Sequence, residues 1–171
     1  MVGLEEDLLR VGAIKFGDFV LTSGKRSTYY VDIKEAATDP SLLKNIASEF
    51  STMIRSKKIA GMELGAVPLV VATALQLSVP YIIVRKERSH GTMSLLVGKL
   101  EKGEEIDVIE DVVTTGNSVL KAVQTLRENG AIVKRAFCVV DREEGGSELL
   151  RENGIELKPI IKISQVRGFR R

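Results

Sequence analysis

Apolar positions along the chain switch between two periods. Leu42, Leu43, Ile46, Ala47, Phe50, Met53 and Ile54 recur at helical spacing, and Asp39-Pro40 opens that stretch with a capping acid and a first-turn proline. Residues 4–11 place Leu4, Leu8 and Leu9 on one side and predict a shorter helix. Residues 14–33 are broken by Gly17 and by Ser23-Gly24-Lys25, which predicts short strands ending in Tyr29-Tyr30-Val31-Asp32-Ile33. Tyr81-Ile82-Ile83-Val84 and Ile106 to Ile109 are unbroken apolar runs, as expected of parallel strands covered on both faces. Ile59 to Leu64, Ala131 to Val140 and Ile155 to Ile163 predict further strands. Between them, Pro68 to Leu77, Ser118 to Asn129 (stopped by Gly130) and Gly146 to Asn153 predict helices, while Lys86 to Gly103 reads as a polar stretch. Strand–helix alternation with apolar strands predicts an α/β doubly wound parallel sheet, without internal repeat, linker or second domain.

Composition narrows the classes of function. A chain of 171 residues suits one domain with one core, needing neither disulfide nor structural metal to fold. Lys and Arg total 25 against 23 Asp and Glu, a net charge of +2, which argues against a broad cationic face for nucleic acid. Cys138 is the single cysteine and His90 the single histidine, so intrachain disulfides, cysteine-rich zinc sites and multi-histidine metal clusters are excluded. The N-terminus MVGLEEDLLRVG is acidic where a secretory signal is basic, and the longest apolar runs are too short or interrupted to span a bilayer. A reducing cytoplasmic setting and no membrane partner are the expectation.

Ligands of such sheets bind at the carboxyl ends of strands, so the polar residues that follow each strand carry the chemistry. The richest segment is Val108-Ile109-Glu110-Asp111-Val112-Val113-Thr114-Thr115-Gly116-Asn117-Ser118. There an apolar strand leads into two acids, and a hydroxyl-rich turn then opens a helix. Successive N–H groups, Thr and Ser hydroxyls and the helix N-terminus make a phosphate cradle. The acids can accept hydrogen bonds from sugar hydroxyls or hold a hydrated Mg²⁺. Arg85, Lys86, Arg88 and His90 gather three permanent cations and one titratable group within six residues, suited to a departing polyanion. Arg142 can take a carboxylate through two parallel hydrogen bonds, or else pair with Glu143 or Glu144 within its own turn.

The segment from 108 to 118 resembles the PRPP-binding motif of type I phosphoribosyltransferases, and three others extend the resemblance to the orotate phosphoribosyltransferases. Arg85-Lys86-Glu87-Arg88-Ser89-His90-Gly91 is similar to that family's catalytic loop. Phe19 to Ser27 with Tyr29-Tyr30 resembles its N-terminal substrate segment, and Val140-Asp141-Arg142-Glu143 its orotate-binding turn. The order and spacing agree over about residues 5–165.

The resemblance implies a type I phosphoribosyltransferase fold over residues 1–171, a central mostly parallel sheet flanked by helices, with a small N-terminal hood mainly from about 1–35. It implies transfer of the phosphoribosyl group from PRPP to orotate N1, the transferase step of pyrimidine (UMP) synthesis. PRPP would be bound by Arg85, Lys86, Arg88, His90, Glu110, Asp111, Val112, Val113, Thr114, Thr115, Gly116, Asn117 and Ser118. Arg88, Lys86, His90 and Asp111 would be catalytic, and Thr114 and Arg142 would bind orotate. The turn Gly65-Ala66-Val67-Pro68 resembles the loop that contacts diphosphate. The implied cofactor is Mg²⁺ carried by PRPP, met by Glu110 and Asp111 through water, with no protein-only metal site. A homodimer sharing the catalytic loop between subunits is also implied.

Three positions depart from the family pattern. The loop is one residue short, so either Arg88 or Ser89 stands where the family has a catalytic Lys; Asn117 replaces a common Gly; and Thr22 replaces a Lys that contacts PRPP in some relatives. Two other readings remain beside the orotate enzyme: a phosphoribosyltransferase for another base, or a catalytically weak regulator that senses PRPP or nucleotides.

Overall fold

The computed structural model describes residues 3–20, 24, 26–87 and 94–168. It begins with helix α1 (Leu4–Arg10) and an antiparallel pair, β1 (Ile14–Val20) and β2 (Arg26–Val31), that forms a sheet of its own. Asp32 then caps a one-turn helix, α2 (Ile33–Ala36), by accepting the Lys34 N–H. The long helix α3 (Pro40–Met53) starts as its sequence requires, with Asp39 accepting the N–H groups of Ser41 and Leu42.

The remaining elements build the main sheet. They are β3 (Ile59–Met62), α4 (Ala66–Leu77), β4 (Tyr81–Val84), β5 (Leu96–Val97), β6 (Asp107–Val113), α5 (Asn117–Glu128), β7 (Arg135–Asp141), α6 (Gly146–Glu152) and β8 (Glu156–Lys162). The strand order is β5-β4-β3-β6-β7-β8, all parallel except β5, which runs antiparallel to β4 at the edge. The chain builds outward in one direction from β3 to β4 and in the other from β6 to β8. The order therefore reverses between β3 and β6, the point where open α/β sheets place their ligands.

Alternate residues of the strands feed two cores. Ile59, Ile109, Phe137 and Val139 pack with Leu8, Ile33, Ile46, Phe50 and Leu69 on the α1–α4 side. Ala60, Met62, Val108, Ala136 and Cys138 pack with Val119, Val123, Leu126 and Leu150 on the α5–α6 side. At the end of the sheet where β6 begins, buried Asp107 accepts the N–H groups of Arg55 and Ser56 and a 2.8 Å bond from Arg135 Nε. That cluster ties β6 to β7 and to the turn after α3, and so fixes where the far end of β6 emerges.

The boundaries differ from the pattern-based ones in instructive places. β6 does not stop at Ile109 but runs on to Val113, so the two acids lie within the strand. Helix α4 begins at Ala66, two residues before Pro68, because proline fits a first turn whose N–H groups need no partner. The polar stretch 86–103 contains the two-residue strand β5. Among the described residues no helix is long and apolar enough to cross a membrane.

Candidate active site

The site forms because β6 outruns β3. Their pairing ends at Gly61↔Ile109, whereas β6 continues beside β7 as far as Val113↔Asp141. Glu110 and Asp111 therefore sit where one neighbouring strand has already turned away, and both are only 7% exposed. Asp111 N–H donates to Glu110 Oε1 at 3.0 Å, and Val112 N–H donates to Asp111 Oδ1 at 2.8 Å. Asp111 Oδ2 is buried and accepts no hydrogen bond; 3.3 Å away stands the ammonium of Lys34. Burial, with Asp111 alongside, pushes the Glu110 carboxyl up to about 8. Burial works against the Lys34 charge, but Asp111, Asp32 and Glu110 outweigh it and hold its pKa above the ordinary lysine value.

The turn that replaces β3 in this gap comes close to Asp111. A Cβ on Gly65 would collide with the Asp111 carboxylate, so only glycine lets the turn pass there. Glu63, just before it, accepts the Lys86 N–H at 2.7 Å. Lys121 Nζ, one turn into α5, donates to the Lys86 carbonyl at 3.1 Å, and the Arg85 N–H donates to the Leu95 carbonyl at 2.8 Å. The start of the Arg85-Lys86 segment is thus fastened to the turn after β3 and to helix α5. Arg88, Ser89 and His90 lie outside the described residues, as do Thr22 and Lys25.

At the end of β6, residues 112–119 line a cavity of about 130 Å³. Thr115, Asn117 and Ser118 are exposed, Thr114 is half-buried, and Val113 and Gly116 are buried. The first-turn N–H groups of α5 have no partner within the helix and supply the positive end of its dipole. Gly116 takes the left-handed backbone, φ +83°, and caps α5. Asn117 is the first helical residue, with Nδ2 donating to Thr115 Oγ1 at 3.1 Å. The replacement of glycine at 117 therefore asks nothing unusual of the backbone.

A third loop closes the arrangement. The Arg142 N–H donates to the Val113 carbonyl at 2.9 Å, and the Gly146 N–H to the Thr114 carbonyl at 3.0 Å. These bonds hold the turn after β7 against the phosphate-type loop. Arg142 packs over the Tyr29 ring of β2, 4.9 Å from its centroid, and its side chain is 12% exposed. It pairs with Glu144 at 2.8 Å.

Acids at a switch point, a glycine turn beside them and an anion cradle opening a helix make a site for a phosphorylated sugar. Comparison with known proteins agrees. Residues 34–160 match the family model described as "Phosphoribosyl transferase domain". Over all 171 residues the chain is 88% identical to the orotate phosphoribosyltransferase of Thermoplasma acidophilum, covering 100% of both chains. The chain belongs to the orotate phosphoribosyltransferase family. More distant members retain the match: the Methanocaldococcus jannaschii enzyme is 44% identical over 94% of this chain and 93% of its own. The crystal structure of orotate phosphoribosyltransferase from Aeropyrum pernix superposes with a TM-score of 0.83 at 36% identity, covering 96% of each chain.

In this phosphoribosyltransferase, the structure brings together Arg85, Lys86, Glu110, Asp111, residues 112–118 and Arg142 at one end of the sheet. It also shows a residue that periodicity did not single out. Lys34 reaches the acid pair from a helix of four residues, too short to leave a pattern. The available signal was the Asp32 cap, which places Lys34 at the start of a turn leaving the hairpin. Replacing Lys34 with Met is expected to raise the PRPP KM roughly five- to thirtyfold, as for loss of a partly buried charge pair. The orotate KM should move much less, and Lys34→Arg should restore part of the loss; steady-state kinetics with each substrate varied check this.

Proposed function

We propose that this chain transfers the 5-phosphoribosyl group of PRPP to N1 of orotate, giving orotidine 5′-phosphate and diphosphate. The observation that carries the reading is the joining of two loops. Arg142, a mostly buried cation suited to a carboxylate, is hydrogen-bonded through its backbone to the loop that forms the anion cradle. An acidic base and a sugar phosphate thereby find their partners side by side. A purine would leave the guanidinium without the anion it is shaped for.

In this reading the 5′-phosphate rests on Thr114 to Ser118, met by backbone N–H groups and hydroxyls. Asp111 and Glu110 take the ribose hydroxyls, and the Gly65 turn with Arg85 and Lys86 faces the diphosphate. Arg88 and His90 belong to the same assignment by resemblance, and Thr114 adds a hydroxyl to orotate. As the C1–O bond breaks, diphosphate leaves with the bonding electrons while orotate N1, its proton given up to solvent, bonds to C1 from the opposite face. Holding the two reactants in line supplies much of the rate, and fixed cations stabilise the charge that develops on diphosphate.

The buried Asp111 Oδ2, ion-paired with Lys34 and beside Glu110, fits a water-mediated contact to Mg²⁺ carried by PRPP. When bound, the ion neutralises diphosphate and makes it a better leaving group. A homodimer is part of the same reading. It is supported by exposed Leu75 and Tyr81 on an apolar groove at the end of α4 and by exposed Val97 on the edge strand. A cytoplasmic setting is supported by a lone cysteine, Cys138, that is buried and free.

The test is direct. With PRPP, Mg²⁺ and orotate, the ultraviolet absorbance of orotate should fall and stoichiometric diphosphate appear. PRPP binding without turnover would instead mark a regulator.

A further inference from the structure

The Arg142 guanidinium is held along one edge. Its Nε donates to the Tyr29 hydroxyl at 3.4 Å, and its Nη2 meets Glu144 Oε1 at 2.8 Å. Those two groups form the side-on edge of the guanidinium fork. The same Tyr29 hydroxyl donates to Glu144 Oε1 at 3.1 Å, which closes a triangle between β2 and the turn after β7. On the opposite edge, Nη1 has no protein partner among the described residues.

The two acids after Arg142 are used differently. Glu143 accepts the Ser164 N–H at 2.8 Å, and its own N–H donates to Asp141 Oδ1 at 2.8 Å, so it braces the turn. Glu144 turns back to Arg142. A long, flexible cation in so deep a position would otherwise sample several rotamers, and a two-point carboxylate contact tolerates little misalignment.

We propose that Glu144, with the Tyr29 hydroxyl, is a positioning residue that sets specificity: it holds the side-on edge of Arg142 and presents the terminal Nη1–Nη2 edge to the carboxylate of the base. The inference rests on the reading of Arg142 as orotate's partner and deepens it. Orientation acts only on a base that carries an anion. Glu144 therefore sharpens the preference for orotate over uracil without touching either base's ring.

The experiment compares Glu144→Ala and Glu144→Gln with the unmodified protein, using orotate, uracil and PRPP as varied substrates. Glu144→Ala is expected to raise the orotate KM roughly three- to tenfold, the size of a half-exposed ion pair. The orotate-to-uracil ratio of kcat/KM should fall by the same factor, and the PRPP KM should hold as a control for folding. Glu144→Gln keeps an acceptor and should recover part of the loss. An unchanged or lower orotate KM in Glu144→Ala overturns the inference, a lower one marking Glu144 as a competitor of the substrate. An equal loss for orotate and uracil overturns it too. Should Arg142→Ala itself leave the orotate KM unmoved, the underlying reading fails; if Arg142→Ala raises it and Glu144→Ala does not, only this inference fails.

Discussion

Asp111→Asn is expected to lower kcat/KM for PRPP by roughly 10²- to 10³-fold, the cost of removing one preorganised electrostatic group. Three features concentrate the effect on this residue. It is buried on the stretch of β6 that β3 no longer covers, and its Oδ2 accepts no hydrogen bond. Lys34 faces it, with its ammonium 3.3 Å from Oδ2. The amide is isosteric and keeps an acceptor for the Val112 N–H. It would nevertheless turn an NH₂ toward the Lys34 ammonium, setting donor against donor, and remove the carboxylate acceptor offered to a sugar hydroxyl. Kinetics with PRPP varied should show the loss while thermal unfolding changes little; a loss under threefold would remove Asp111 from the site.

Arg142→Ala should raise the orotate KM roughly 10²-fold or more, since charge-assisted hydrogen bonds contribute about 1.5–3 kcal/mol each and two are lost together. The PRPP KM should rise only a few-fold, because the loop contact of residue 142 is made by its backbone N–H and survives the substitution. Side-chain loss leaves the Tyr29 hydroxyl bonded to Glu144, and the Glu144 carboxylate is exposed enough to be solvated by water. Equal rises in both constants would mean that Arg142 supports the fold of the site and does not read the base.

Much of this was legible in the chain itself, for physical reasons. Tyr81 to Val84 and the strands beside it announce themselves because both faces of a parallel sheet need apolar cover. Asp39-Pro40 marks the start of α3 because capping chemistry is local. Other features depend on contacts between distant segments. That β6 carries its acids into the buried end of the sheet follows from where β3 stops, which no periodicity in residues 106–113 reveals. The pairing of Lys34 with Asp111 joins the helix after the hairpin to the centre of the sheet. That Asn117 can stand where the family has Gly depends on Gly116, one residue earlier, which takes the left-handed backbone. Likewise Glu144, and not Glu143, pairs with Arg142, while Glu143 accepts the N–H of Ser164 from the turn after β8.

One measurement bears most directly on the central claim, that Arg142 beside the anion cradle selects an acidic pyrimidine for phosphoribosyl transfer. The protein is given PRPP and Mg²⁺ with orotate, uracil, adenine and hypoxanthine together at equal concentration, and the nucleotide products are separated and counted. Orotidine 5′-phosphate is expected in large excess over every other product. A purine nucleotide or UMP as the main product would contradict it.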